Sequence, residues 1–229
     1  VRIRLQPINA RHNRQSSCFP RTNVASDCPM TSLVCACIDS SIAAYHRQHW
    51  KAGGAEVLAV TLPGNIYGIA FRGTEGVHDA IWDARAFPTR HPKLGLVHRG
   101  FAAGVTAIWP AISASMPDKA MAIAFTGHSK GGSEATLAAA IAVSEGYNVK
   151  WLITFGSPRV AASRRVENIL LRGRVTILRY VNLGDSVTSV PPWWLGYRHV
   201  GTAIEVGEDW DTAPDHPSRE YRKALKCGR

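Results

Sequence analysis

The sequence predicts an α/β fold with a largely parallel central sheet flanked by helices. Three observations lead there. Short apolar strand-like runs alternate with helical segments from Met121 to Asn182. A glycine-rich turn, Gly127 to Gly132, joins one of those strands to a helix built from small residues. Upstream, two strand patterns flank Pro63-Gly64-Asn65, a turn signal that predicts an antiparallel hairpin early in the sheet.

The elements follow in order. Residues 1–30, rich in Arg, Asn and Gln, read as a basic, loosely ordered N-terminal arm, and residues 31–229 as a single domain. Thr31 to Trp50 reads as a helix, because Val34, Ile38, Ile42, Tyr45 and His49 recur three and four apart on one face. Thr31 or Ser32 would cap it, and Gly53-Gly54 break the pattern. Glu56 to Thr61 and Ile66 to Arg72 are the hairpin strands. Gly76 to Gly95 is a connector with little regularity. Phe101 to Met116 is helical in pattern, with Pro110 placed to kink or shorten it. Then come strand Met121 to Phe125, helix Ser129 to Glu145, strand Lys150 to Phe155, helix Ala161 to Leu171, strand Val175 to Asn182 and a last helix within His216 to Leu225. Sheets of this kind bind ligands at the carboxyl ends of their strands.

Composition narrows the class. A chain of 229 residues with 45% hydrophobic content suffices for one sizeable core. No uncharged apolar run reaches about 18 residues, so a transmembrane helix is not expected. Val1 to Asn23 lacks the apolar centre of a secretory signal. The chain opens on Val, so a removed signal stays open, and location is left between cytoplasm and export by another route. Five cysteines occur without a CxxC or a zinc-type spacing, so no metal site is expected. Cys18 and Cys28 bracket a Pro-containing loop and are candidates for a disulfide, with free thiols as the alternative. Cys35 and Cys37 would point in different directions on a helix. The net charge of +10 favours polyanions. No nucleic-acid motif accompanies it, so no nucleic-acid partner is expected; a solvated basic surface comes first and a membrane-facing patch second.

Gly127-His128-Ser129-Lys130-Gly131 is a GxSxG sequence between an apolar strand and a helix. That context predicts a nucleophile elbow, in which flanking glycines leave room for a tight turn and the serine sits at a helix N-terminus. A serine hydroxyl needs a base, usually His, and the base needs an orienting carboxylate. In this architecture the chain order is Ser, acid, His. Only His199 and His216 follow Ser129. Asp185 lies in a Gly-containing loop just after a strand, where such an acid belongs; Asp209, Asp211 and Asp215 are rivals close to His216.

Taken together these residues resemble the class 3 lipase family, the fungal-type triacylglycerol lipases and their bacterial relatives. Phe71-Arg72-Gly73-Thr74 is similar to the family's FRG[ST], and Trp82-Asp83 to its W..D. His98-Arg99-Gly100-Phe101 matches HxGF, Gly127 to Gly132 GHSxGG, and Thr154 to Val160 TFGxPRV. Asp185 to Pro192 follows DxVPxxPP, Tyr197 to Gly201 follows Y.HvG, and Asp215-His216 with Tyr221 resembles the closing DHxxY. The matches run in family order from about residue 31 to the end.

The resemblance implies an α/β-hydrolase fold and a serine carboxylester hydrolase acting on lipid esters without a cofactor. It implies a triad of Ser129, Asp185 and His216, and an oxyanion hole at the backbone N–H groups of Thr74 and Lys130. His98, His128 and His199 take structural roles. The segment from Glu75 to about Phe87 would be a lid, amphipathic through Val77, Ile81, Trp82 and Phe87, with a fixed turn and a core Trp82 as the alternative. Trp82, Trp193 and Trp194 are candidate substrate contacts; the Trp pair would line an acyl pocket, meet a membrane interface or pack in the core. Three positions depart from the pattern. Lys130 stands where lipases usually carry Leu, with Asp83 as a conceivable partner; either it points away and only its amide works, or the site suits a polar or anionic substrate. Thr188 replaces a Pro, and Tyr221 lies further past His216 than DHxxY expects. The rival functions are a phospholipase on anionic membranes, hydrolysis of another acyl bond, and a non-catalytic basic binding protein on the same scaffold.

Overall fold

The computed structural model describes residues 29–74, 87–207 and 216–227. The proposed N-terminal arm, Cys18 and Cys28, the Glu75 to Ala86 part of the lid with Trp82 and Asp83, and Asp209, Asp211 and Asp215 all lie outside the described residues.

A seven-stranded sheet runs through the molecule. Helix α1 (Pro29–Ala43) is followed by β1 (Trp50–Ala52), β2 (Ala55–Leu62) and β3 (Ile66–Phe71). A two-stranded ribbon, β4 (Pro88–His91) and β5 (Gly95–His98), leads into α2 (Arg99–Ser115). Then β6 (Ile123–His128), α3 (Lys130–Ser144), β7 (Val149–Phe155), α4 (Arg165–Arg172), β8 (Thr176–Asn182), β9 (Ala203–Val206) and α5 (Ser218–Ala224) complete the chain. The strand order is β1-β2-β3-β6-β7-β8-β9. The first two pairings are antiparallel and the remaining four parallel. The sheet is therefore mostly parallel, as predicted.

Two apolar layers cover it. On one face α1 and α5 pack Leu33, Val34, Ile38 and Tyr221 against Phe155, Leu178 and Tyr180. On the other, α2, α3 and α4 bury Phe101, Val105, Ile108, Leu137, Ile141 and Leu170. Helix α3 is buried from Gly131 to Ala142, so its small residues bring it flat onto β6 and β7. That close seating fixes where its first residue lies.

Several predicted boundaries shift. The helix expected to reach Trp50 stops at Ala43, and Trp50 instead pairs with Val57 as an edge strand. Pro110 does not divide α2, which runs unbroken to Ser115. The expected helix start at Ala161 moves to Arg165, because Ala161 bridges both Val97 and Arg198. Strands β4, β5 and β9 were not predicted. A disulfide joins Cys35 on α1 to Cys227 after α5, with Cα atoms 5.5 Å apart. Cys37 is a buried free thiol, raised to about 12 by its burial.

Candidate active site

Ser129 occupies the one-residue turn between β6 and α3. Its backbone has φ 58° and ψ −132°, a conformation a non-glycine residue avoids unless its surroundings impose it, at a cost of about 1–3 kcal/mol. The surroundings do impose it. The Ser129 N–H donates to the Phe155 carbonyl at 2.8 Å, and the Gly132 N–H donates to the Ser129 carbonyl at 2.9 Å. A methyl group on Gly131 would strike the Phe71 carbonyl, so only glycine lets the start of α3 abut the end of β3. The Ser129 side chain is buried, and its Oγ has no hydrogen-bond partner.

His216 and Asp185 meet across the carboxyl end of the sheet. Asp185 follows β8, and both its oxygens lie within 2.9–3.0 Å of His216 Nδ1. A carboxylate only accepts, so Nδ1 carries a proton toward Asp185, and in the neutral imidazole Nε2 is the ring acceptor. That Nε2 is buried and without a hydrogen-bond partner, like the serine Oγ. The Val187 N–H donates to Asp185 Oδ1 at 2.9 Å, and the Tyr221 hydroxyl donates to Oδ2 at 2.6 Å. Tyr221 thus reaches the acid despite its two extra residues of spacing. Its helix begins only at Ser218, after Pro217, and the intervening turn takes up the difference. Gly156 completes the fit: with φ 57°, a Cβ there would lie 2.7 Å from Asp185 Oδ2.

The other histidines have structural partners. His128 Nε2 donates to the His216 carbonyl at 2.6 Å, so its Nδ1 accepts from the Tyr45 hydroxyl at 3.1 Å. Burial, then the neighbouring His216, lowers His128 to about 3 and keeps it neutral. The residue before the serine therefore holds the backbone of the residue bearing the imidazole. Sequence reading missed this tie, because Tyr45 lies on a turn with no motif of its own. His98 caps α2 by accepting from the Phe101 N–H at 3.4 Å and stacks on the Phe101 ring at 3.9 Å. Burial lowers it to about 4. His199 Nε2 donates to the Thr188 carbonyl at 2.9 Å; burial, with Arg179 and Arg159 nearby, lowers it to about 3. Neither His98 nor His199 contacts Asp185.

Lys130 directly follows Ser129, and Gly73, the residue before Thr74, lies against the His128 carbonyl. Lys130 is the first residue of α3, where N–H groups lack helical partners and favour negative charge. Thr74 lines a polar cavity of about 280 Å³ with Gly54, Glu56, Arg72 and Gly73. The Lys130 ammonium turns back along its own helix. It donates to the Gly54 carbonyl at 2.8 Å and pairs with Glu134 Oε1 at 2.6 Å. The ammonium is thus held between its own helix and the Gly54 backbone. Trp193 and Trp194 are 72% and 65% exposed, so neither is a core residue. Among the described residues no cluster of His, Cys, Asp or Glu is arranged to hold a metal ion.

A family model, Lipase (class 3), matches residues 68–194, more than half of the chain. This chain belongs to the class 3 lipase family. A lipase of Rhizomucor miehei is 30% identical over 144 residues, covering 58% of this chain and 39% of the relative. The chain thus spans about two fifths of the length of that family member. Among solved structures, the R. miehei lipase propeptide complex superposes with a TM-score of 0.63 at 22% identity, covering 79% of this chain and 68% of the other. The mono- and diacylglycerol lipase of Aspergillus oryzae gives 0.59 at 21% identity, covering 80% of each. At these identities the superpositions establish the shared α/β-hydrolase fold. The family match covers the serine turn and Asp185, while His216 lies beyond its last residue.

Proposed function

We propose that the chain is a serine carboxylester hydrolase that cleaves acyl esters of lipids through an acyl-serine intermediate. The observation that carries this is the His216 imidazole: fixed by Asp185 through Nδ1, it keeps a buried, unpartnered Nε2, while its backbone is held by His128, the residue before Ser129. Ser129 attacks the ester carbonyl while His216 takes its proton through Nε2. Asp185 holds the tautomer and stabilises the imidazolium that forms. The Lys130 and Thr74 amides stabilise the tetrahedral oxyanion, about 3 kcal/mol for each donor. His216 then returns the proton to the leaving alcohol, and water attacks the acyl-enzyme. Every proton moves between Ser129, His216, alcohol and water, so no cofactor is needed.

The substrate class rests on family membership. The names of the relatives, a lipase and a mono- and diacylglycerol lipase, point to acylglycerols. With its ammonium held by Glu134 and by the Gly54 carbonyl, Lys130 is read as contributing its amide rather than selecting an anionic group.

The deciding experiment is hydrolysis of p-nitrophenyl esters of increasing acyl length, then of acylglycerols and phosphatidylglycerol, with wild type beside Ser129→Ala. Turnover is expected to fall about 10³-fold or more in the variant. Equal turnover in the two proteins would remove Ser129 as nucleophile. No turnover of any ester would favour a basic binding protein on a hydrolase scaffold.

A further inference from the structure

Three segments far apart in sequence lie side by side at the carboxyl end of the sheet. Residues 157–165 leave β7 and residues 186–201 leave β8, the edge that also carries Ser129 and Asp185. Residues 87–99 form the β4–β5 ribbon. Isolated bridges join them, Val97 to Ala161 and Ala161 to Arg198, and the Ala162 N–H donates to the Leu96 carbonyl at 2.9 Å.

Their composition is one-sided. The three segments contain no Asp or Glu, yet hold Arg90, Arg99, Arg159, Arg164, Arg165 and Arg198, besides Lys93, which pairs with Glu145 outside them at 2.6 Å. All but half-buried Arg159 are exposed, and among the described residues none of the six forms an ion pair with a carboxylate. Elsewhere, basic residues of the chain do find acids, as Arg72 finds Glu56 and Arg222 finds Asp39. Arg159 also braces the aromatic loop, donating to the carbonyls of Ser189 and Pro191. Beyond that brace, Trp193, Trp194 and Leu195 form a short helical turn that stays 72%, 65% and 41% exposed. Gly196 ends the turn at φ 84°, and a Cβ built there meets nothing within 4 Å, so the loop stands clear of the body.

We propose that this surface docks the protein onto an anionic lipid bilayer, with the arginines facing the headgroups and Trp193, Trp194 and Leu195 entering the interface. The proposal deepens the lipid-ester reading above and rests on it for its biological sense. Indole rings favour the headgroup level, where one edge is apolar and the other wet. Basic side chains near an anionic surface add attraction that salt screens. No helix of the described residues is long and apolar enough to cross a membrane, so the contact described is peripheral. The docking face shares the sheet edge of Ser129 and Asp185, so it would present the site to lipid.

The test uses vesicles of diether phosphatidylglycerol or diether phosphatidylcholine, which contain no carboxylic ester for the proposed activity to consume. Binding is read by co-sedimentation and by a blue shift of tryptophan emission. Wild type is expected to bind the anionic vesicles at least about tenfold more tightly, with affinity falling as salt rises. Arg164→Glu/Arg165→Glu/Arg198→Glu should weaken that binding on the order of 100-fold. Trp193→Ser/Trp194→Ser should weaken it about tenfold or more. Turnover of a soluble short-chain ester by the charge-reversed variant reports on folding and on the hydrolase reading separately. If wild type lacks that turnover, the hydrolase reading fails while the vesicle result still stands. No binding to anionic vesicles, or binding that neither variant weakens, overturns the proposal. So does equally tight binding to duplex DNA that depends on the arginines but ignores the tryptophan changes.

Discussion

Tyr221 shows how much one buried hydroxyl does here. It accepts from the Asn182 N–H at 2.9 Å and donates to Asp185 at 2.6 Å, so it ties the end of β8 to the acid. Tyr221→Phe removes both bonds without changing the ring. We expect kcat to fall about tenfold with KM nearly constant, and unfolding free energy to drop by about 1–2 kcal/mol. Steady-state kinetics beside denaturant melts check both, and a change confined to KM would argue against the positioning role. Glu134 makes a second case. Burial pushes its carboxyl up to about 7, outweighing the pull of Lys130 at 2.6 Å, while in the unfolded chain it returns to about 4.3. Folding therefore favours the protonated form. The stability this group contributes is fully present below about pH 4 and is lost as pH rises through about 7. Glu134→Gln should gain in Tm relative to wild type from pH 5 to pH 7.5; a constant difference would show that its ionisation carries no such cost. Neither role was legible in the sequence. Tyr221 sat off its motif's spacing, and Glu134 reads as an ordinary helical acid until the packing of α3 is known.

Elements were legible where local pattern and tertiary need agreed. Strands β2, β3, β6, β7 and β8 and helices α2 and α3 carry their own periodicity, and the serine turn carries its glycines. Element ends were less so. The apolar stripe of α1 continues toward His49, yet Trp50 gains more by pairing with β2 than by extending a helix. The β4–β5 ribbon has no apolar alternation, because Val97 alone of its eight residues joins the apolar core. The Cys35–Cys227 bond had no sequence signal, since 192 residues separate the partners. It fastens α1 to the end of α5, the element that carries Tyr221. By loop-closure entropy such a bond stabilises by up to about 5 kcal/mol. Cys35→Ser should lower Tm, and ester turnover should be lost on warming before the far-ultraviolet helix signal, because α5 loosens first. Coincident loss of the two signals would indicate a single cooperative unit.

For the molecule as a whole, charge is unevenly placed, and the consequence depends on ionic strength. Raising salt shortens the screening length from about 10 Å at 0.1 M to about 3 Å at 1 M. Hydrolysis at an anionic vesicle surface should slow across that range while turnover of a soluble short-chain ester holds steady. A parallel decline in both would place the salt effect in the site rather than in surface attraction. The net charge was plain in the sequence; its concentration on one edge was not, because the three acid-free segments come together only through bridges between distant residues. The disulfide bears on the same scale. Because it links the first described helix to the last, the chain between Cys35 and Cys227 is covalently a ring. A single backbone cut anywhere in that ring, in an exposed loop for instance, releases no fragment. The severed ends stay within reach of each other, and the two halves of the site remain one molecule.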